Sequence, residues 1–181
     1  PNLPPHPWPA ESTRDDFAMG SISNHFQWLR TPWPQLIMSL TARPGHLRLI
    51  GRESIGSLFQ QSLVARRQQS HHCRAETVME FEPKHFQQAA GLVCYYGQNK
   101  FHYLHVSHDE TLGKHIRVMS ALPDAPAGDA FTRPIPIAPD KPIKLRAEID
   151  EERLLFAYAV GDDGWQRLPE IFDASILSDE A

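Results

Sequence analysis

Histidines, carboxylates, cysteines and aromatic residues carry what chemistry this 181-residue chain offers. Phe101-His102-Tyr103-Leu104-His105-Val106-Ser107-His108 spaces three histidines at intervals of three, with His71-His72-Cys73 upstream. On a helix, residues three apart share a face and can chelate zinc; on a strand they point to opposite faces. The local alternation reads as strand, so His102, His105 and His108 are expected not to share an ion, and no metal site is assigned. Glycosidase chemistry needs two carboxyl groups facing each other across a substrate. Asp15, Asp16, Glu76, Glu80 and Glu82 are available, but Glu76 and Glu80 alternate with apolar neighbours as on any solvated strand, so no residue is assigned as catalytic. No Gly-x-Ser-x-Gly, phosphate-binding glycine loop or His-Glu-x-x-His occurs, and no cofactor is expected. Cys73 and Cys94 are too few for a disulfide framework. They could pair if their strands are neighbours; free buried thiols are the expectation without a secretory signal. Trp8, Trp28, Trp33, Trp165, Tyr95 and Tyr96 could stack on sugar faces.

These residues sit in a pattern of period two. Cys73 to Phe81 places Cys73, Ala75, Thr77, Met79 and Phe81 on one face. Ile143 to Ile149 alternates without a fault, as a half-buried antiparallel strand should. Further strands are predicted at His46 to Ile50, Leu63 to Arg67, Leu92 to Tyr96, Phe101 to Val106, His115 to Met119 and Leu154 to Val160. Pro44-Gly45, Gly97-Gln98-Asn99, Asp150-Glu151-Glu152 and Gly161-Asp162-Asp163-Gly164 supply the turns. Short edge segments are read at Phe131 to Arg133 and at Ile135 to Ile137. From Glu53 to Gln69 the apolar residues fall at helical intervals, which predicts a helical turn there. No repeat occurs at a fixed period. The fold class is all-β: an antiparallel β-sandwich.

Eighteen Lys and Arg against 22 Asp and Glu leave a formal charge of −4, with the acidic excess in the second half. That balance argues against nucleic acid or an anionic membrane as the principal partner. No apolar run approaches the roughly 20 residues a membrane-spanning helix needs. The first residues show neither a basic nor an apolar signal region, so the location expected is cytoplasmic. The chain does not begin with Met, which suggests a piece of something longer. Five of the sixteen prolines fall in the first nine residues, a composition that favours an extended linker.

Residue order carries more. Arg14-Asp15-Asp16-Phe17 is followed by Phe26-Gln27-Trp28-Leu29-Arg30-Thr31-Pro32, then by Ser39 to Leu49, Gly51-Arg52-Glu53-Ser54 and Gln61 to Gln69. Ala75-Glu76-Thr77, Phe81-Glu82-Pro83, Phe86 to Leu92 and Tyr95-Tyr96 close the series. This order resembles the C-terminal concanavalin A-like β-sandwich of family 43 glycoside hydrolases, the β-xylosidase type, closely from Arg14 to Tyr103 and more loosely to Leu177.

The resemblance implies a concanavalin A-like, jelly-roll architecture and an enzyme of two modules. A five-bladed β-propeller would precede this domain, carry the catalytic carboxylates, and remove xylose or arabinose from non-reducing ends in xylan breakdown. Residues 1–13 are then a Pro-rich linker from that upstream module, and 14–181 a sandwich that ends before the family's last strands. The chain alone is expected to be inactive, with the propeller of the same polypeptide as its partner and xylo-oligosaccharide met only indirectly. Aromatic residues and Arg are favoured at interfaces. Trp8, Trp28, Arg30, Trp33, Arg66 and Arg67 are therefore the candidates for sugar or inter-module contacts. The alternative is a free-standing carbohydrate-binding module, which would need a flat row of exposed aromatics on one sheet. Missing terminal strands would leave an edge open after Leu177, so poor solubility or self-association through that edge is also expected.

Overall fold

The alternation in Ile143 to Ile149 becomes a strand whose odd positions are buried and whose even positions lie nearer solvent. That two-residue rhythm, repeated along the chain, builds the fold seen in a computed structural model, which describes His6, residues 12–122 and residues 130–179. Trp8 lies outside the described residues. The chain divides into two compact units, Pro1–Ser54 with Phe59–Arg67, and Ile55–Leu58 with Gln68–Ala181.

The first unit holds β1 (Phe26–Trp28), β2 (Met38–Ser39), β3 (Arg48–Leu49) and β4 (Val64–Arg66). They form two ribbons, β1 with β4 and β2 with β3. A 3₁₀ turn at Pro34–Leu36 leads into β2. Among the described residues of this unit only Thr31, Ile37 and Gln61 are buried.

The second unit holds β5 (His72–Met79), β6 (Ala90–Gly97), β7 (Lys100–Asp109), β8 (Gly113–Ala121), β9 (Ala130–Phe131), β10 (Ile135–Pro136), β11 (Ile143–Asp150), β12 (Arg153–Val160), β13 (Gln166–Arg167) and β14 (Phe172–Asp173). One antiparallel sheet runs β10-β8-β7-β6 with β9 also on β8; the other runs β13-β12-β11-β5 with β14 also on β12. Leu104, Val106, Ile116 and Val118 of the first sheet share one core with Ile143, Leu145, Ala147, Leu154, Phe156 and Tyr158 of the second. This is a β-sandwich, with inward side chains of both sheets interdigitating. The turn from β7 to β8 forms because Asp109 Oδ1 accepts the N–H groups of Thr111 and Leu112 at 2.8 and 2.9 Å, and because Gly113 takes a φ of 72° that side chains resist.

The helical turn expected between Glu53 and Gln69 does not form. Residues 55–59 make turns and bends, Glu53 bridges Gln61, and β4 follows. Leu58 and Phe59 are more than half exposed, so the helical spacing has no buried stripe to serve, and short helices without one are marginal. Cys73, Ala75, Thr77 and Met79 do share a face, opposite Ile149, Ala147, Leu145 and Ile143.

Gly91 has a steric reason. A Cβ there would lie 2.0 Å from Leu104 O and 2.7 Å from His105 Cα. Both are backbone atoms of the paired strand, so β6 would have to move off β7. Gly91→Ala is expected to cost stability in the upper half of the ordinary overpacking range, about 1–3 kcal/mol. Denaturant melts of the two chains check this; an unchanged midpoint refutes it.

Candidate functional site

The histidines and cysteines of the sandwich are held in structural roles. His102 Nδ1 hydrogen-bonds Ser120 Oγ at 2.7 Å and its Nε2 pairs with Asp173 O at 3.0 Å. His105, three residues on and so on the opposite face of β7, stacks on Tyr103 with ring centroids 4.9 Å apart. Its Nε2 accepts from Arg117 Nε at 3.4 Å. Burial lowers the pKa of both, that of His105 to about 4. Among the described residues no group of three or more His, Cys, Asp or Glu is placed to hold a metal ion. Cys73 and Cys94 are free, on edge strands of different sheets. Burial, with Cys73 nearby, pushes the Cys94 thiol up to about 12, which keeps it unreactive.

The carboxylates have partners too. Glu76 pairs with Arg146 at 2.8 Å and Glu148 with Arg74 and Arg167 at 3.1 Å, on the outer face of the second sheet. Arg146 also lies 3.8 Å from the centre of the Trp165 ring. Arg117 covers Phe131 and Lys100 covers Tyr96 at 4.4 and 5.4 Å. Tyr96 lies on β6, Phe131 on β9 and Trp165 just before β13, and each faces a cation, so these three make no row of the kind a sugar platform requires.

The remaining candidates fall in the first unit. Phe26 and Arg66 are opposite partners on the β1–β4 ribbon, with Trp28 opposite Val64. Trp28 is half-buried and donates its Nε1–H to Thr31 O at 3.0 Å, which fixes the ring locally. The Arg66 guanidinium lies 5.9 Å from the Phe26 ring centre and donates to Ser12 O at 3.4 Å. A cavity of about 380 Å³ opens here, lined by Arg14, Asp15, Asp16, His25, Phe26 and Arg66 among others. Its wall is shaped by two side-chain-to-backbone turns: Asp15 Oδ1 accepts from Phe17 N–H at 2.8 Å and Asp16 Oδ1 from Ala18 N–H at 3.1 Å. Phe17 is held at a φ of 56°. Guanidinium, carboxylate and imidazole groups around one hollow can hydrogen-bond a polyol or another protein's polar rim.

Arg30 sits at a turn with a φ of 48°; Arg67 is exposed just past β4. Trp33 is 61% exposed. Backbone bonds tie the following segment together: Leu36 N–H to Trp33 O at 3.0 Å, and Ile50 N–H to Ile37 O at 2.8 Å, with Leu49 opposite Met38. Leu36, Leu49 and Ile50 are exposed as well. Arg66 and Trp33 were legible as candidates; Arg14, His25, Leu36, Leu49 and Ile50 were not. For the last three no sequence signal exists, since hydropathy does not say what covers a side chain.

The family profile described as beta xylosidase C-terminal concanavalin A-like domain matches residues 14–181. The Bacillus subtilis (strain 168) protein named beta-xylosidase is 38% identical over 167 residues, covering 92% of this chain and 31% of its own length. The Humicola insolens protein named xylosidase/arabinosidase 43B is 40% identical over 174 residues, covering 94% and 32%. The crystal structure of a xylan beta-1,4-xylosidase from Bacillus halodurans C-125 superposes with a TM-score of 0.92 at 38% identity, covering 99% of this chain and 34% of that one. The chain thus spans about a third of the length of the relatives it matches.

Proposed function

The chain belongs to the family of beta-xylosidase C-terminal concanavalin A-like domains, and from that premise we propose that it is the accessory domain of a family 43 glycoside hydrolase. The rest of that polypeptide, a catalytic β-propeller, would carry the two working carboxylates and release xylose, or arabinose, from the non-reducing ends of xylo-oligosaccharides. In this reading the domain makes no bonds and breaks none. It packs on the propeller, stiffens it and helps complete the rim of its substrate pocket.

One observation carries the reading: the first unit exposes Met19, Trp33, Leu36, Leu49, Ile50 and Phe59 while burying little. Two-stranded ribbons are marginal by themselves, and clustered apolar exposure marks an interaction surface. Trp33 would be the principal contact, with Leu36, Leu49 and Ile50 as further apolar contacts, because tryptophan is enriched among the few residues that supply most of an interface's energy. Arg66, with Arg14 and His25 round the same cavity, would meet the polar rim.

The experiment compares the full-length polypeptide with its Trp33→Asp and Leu49→Asp variants, and with the 181-residue chain alone. Each substitution is expected to weaken docking by about 2 kcal/mol. The readouts are a lower inactivation temperature of xylosidase turnover in the full protein and no change in the melting of the isolated chain. The isolated chain is expected to release nothing from aryl xylosides or arabinosides. Unaltered inactivation in both variants would remove the docking surface; turnover by the isolated chain that a single Asp or Glu substitution abolishes would remove the accessory role.

A further inference from the structure

β5 is an open edge of eight residues with an unusual burial pattern. It pairs with β11 on one side, and among the described residues no strand pairs with the other. His72, Arg74, Ala75, Glu76, Thr77 and Val78 are all exposed, Val78 at 66%. Ala75 and Thr77 share the face of the buried Ala147 and Leu145 beside them, so that face of the sheet continues uncovered beyond β11. The strand has no proline, lysine or bulge to blunt it, and such an edge is a template for another strand.

The ladder tells which groups are free. Glu151 N–H bonds His71 O at 2.8 Å, and His71 stands opposite Glu151 when the β5–β11 register is continued past Asp150↔His72. Hydrogen-bonded and non-hydrogen-bonded pairs alternate in an antiparallel ladder. Cys73, Ala75, Thr77 and Met79 therefore exchange bonds with β11. The N–H and C=O groups of Arg74, Glu76 and Val78 and the C=O of His72 point out of the sheet edge, while the His72 N–H on the same side donates to Ser70 Oγ at 3.1 Å.

We propose that β5 is a self-pairing edge, taking the β5 of a second copy of this chain antiparallel about a two-fold axis at Ala75. In that register Arg74 stands opposite Glu76 of the other copy, and Glu76 opposite its Arg74, both as hydrogen-bonded pairs. His72 and Val78 pair outside them, and Ala75 meets Ala75 at the axis. Shifting the register by one pleat either way puts Arg74 opposite Arg74, or Glu76 opposite Glu76. Like charges directly opposite are destabilising, so the charge pattern selects the Ala75 register. The same charges extend the network already present, since Arg74 holds Glu148 and Glu76 holds Arg146. The contact is isologous and closes at two copies. It uses none of the apolar surface of the first unit, and so stands or falls apart from the docking reading.

Sedimentation of the 181-residue chain over a hundredfold concentration range tests it. A monomer–dimer equilibrium is expected. Glu76→Pro removes an outward N–H and leaves the backbone ladder to β11 intact. The half-exposed Glu76–Arg146 pair lost with it contributes little to stability, so the variant should be a monomer that melts within a few degrees of the parent chain. Ala75→Cys tests the register independently: mild oxidation with oxidised glutathione should link two copies through the introduced thiols, identified by mass spectrometry of the joined peptide. A chain that is monomeric throughout overturns the proposal, whether the edge is then solvated or reserved for a strand of a longer polypeptide. A dimer that survives Glu76→Pro, or whose Ala75→Cys variant links only through Cys73 or Cys94, overturns it equally.

Discussion

Glu82→Ala should destabilise the sandwich by about 3–5 kcal/mol, in the lower half of that span. Lys114, on β8, has a side chain only 5% exposed, and its Nζ pairs with Glu82 Oε1. The same oxygen accepts the backbone N–H of Asp140 at 3.0 Å. One carboxylate therefore ties the segment after β5, in one sheet, to β8 in the other and to the loop before β11. Its removal leaves an ammonium ion buried without a counter-charge and an N–H without its acceptor. Because the Glu82 side chain is itself 35% exposed, water reaches part of the vacated space and moderates the loss. Lys114→Met is the contrasting case. It replaces the buried charge by an apolar group of similar length and leaves a carboxylate that water can reach, so it should cost under about 1.5 kcal/mol. Thermal melting measures both, at about 2–4 °C per kcal/mol for a chain of this size. Equal losses in the two variants would mean that packing of the aliphatic stem, not charge pairing, holds this corner.

Where strands run long, the sequence declared them. Ile143 to Ile149, Phe101 to Val106 and Leu154 to Val160 alternate, or run apolar, over enough residues for the period to be read, and they form the centre of the sandwich. β13 and β14, of two residues each, are too short to carry a period; each pairs with β12, and only the register created by folding defines it. The spacing of Ile55, Leu58, Phe59 and Leu63 imitated a helix because periodicity records where apolar residues are, not whether anything covers them. The same gap limited the candidate site. Trp33 and Arg66 stood out through residue type and the order of motifs around them. The exposure of Leu36, Leu49 and Ile50 is a fact about absent neighbours, and apolar residues at protein surfaces are common enough that composition gives no warning. Trp28 shows the converse: a candidate by type, it is fastened to Thr31 O within its own turn.

Acid should destabilise the sandwich through its buried histidines before the carboxylates of Asp109 and Asp173 contribute. His105 lies in β7 with its pKa lowered to about 4: burial is the main cause, its hydrogen bond to Tyr103 O works the other way, and Arg117 and His115 beside it add to the lowering. His102, on the other face of β7, is lowered by burial too, against the opposing pull of Asp173. In the unfolded chain both would titrate near 6.5. The unfolded state therefore takes up protons first as pH falls. Stability is complete above about pH 6.5 and declines from there toward pH 4, by about 3 kcal/mol for His105 alone at 1.36 kcal/mol per pH unit. Asp109 and Asp173 act in a lower window, because backbone N–H groups of their own turns hold Asp109, and Ser175 holds Asp173, below the usual carboxylate range. Their contribution starts to fall only under about pH 4. Melting temperatures recorded from pH 7.5 to 4.0 should thus drop most steeply through the histidine range. His105→Gln, which keeps a side-chain amide to donate and accept in place of the ring, should flatten that slope even if it lowers the plateau. A wild-type profile that stays level down to pH 4.5, or a variant whose slope is unchanged, would mean that protonated His105 is accommodated in the folded sandwich and that its burial carries no linkage to pH.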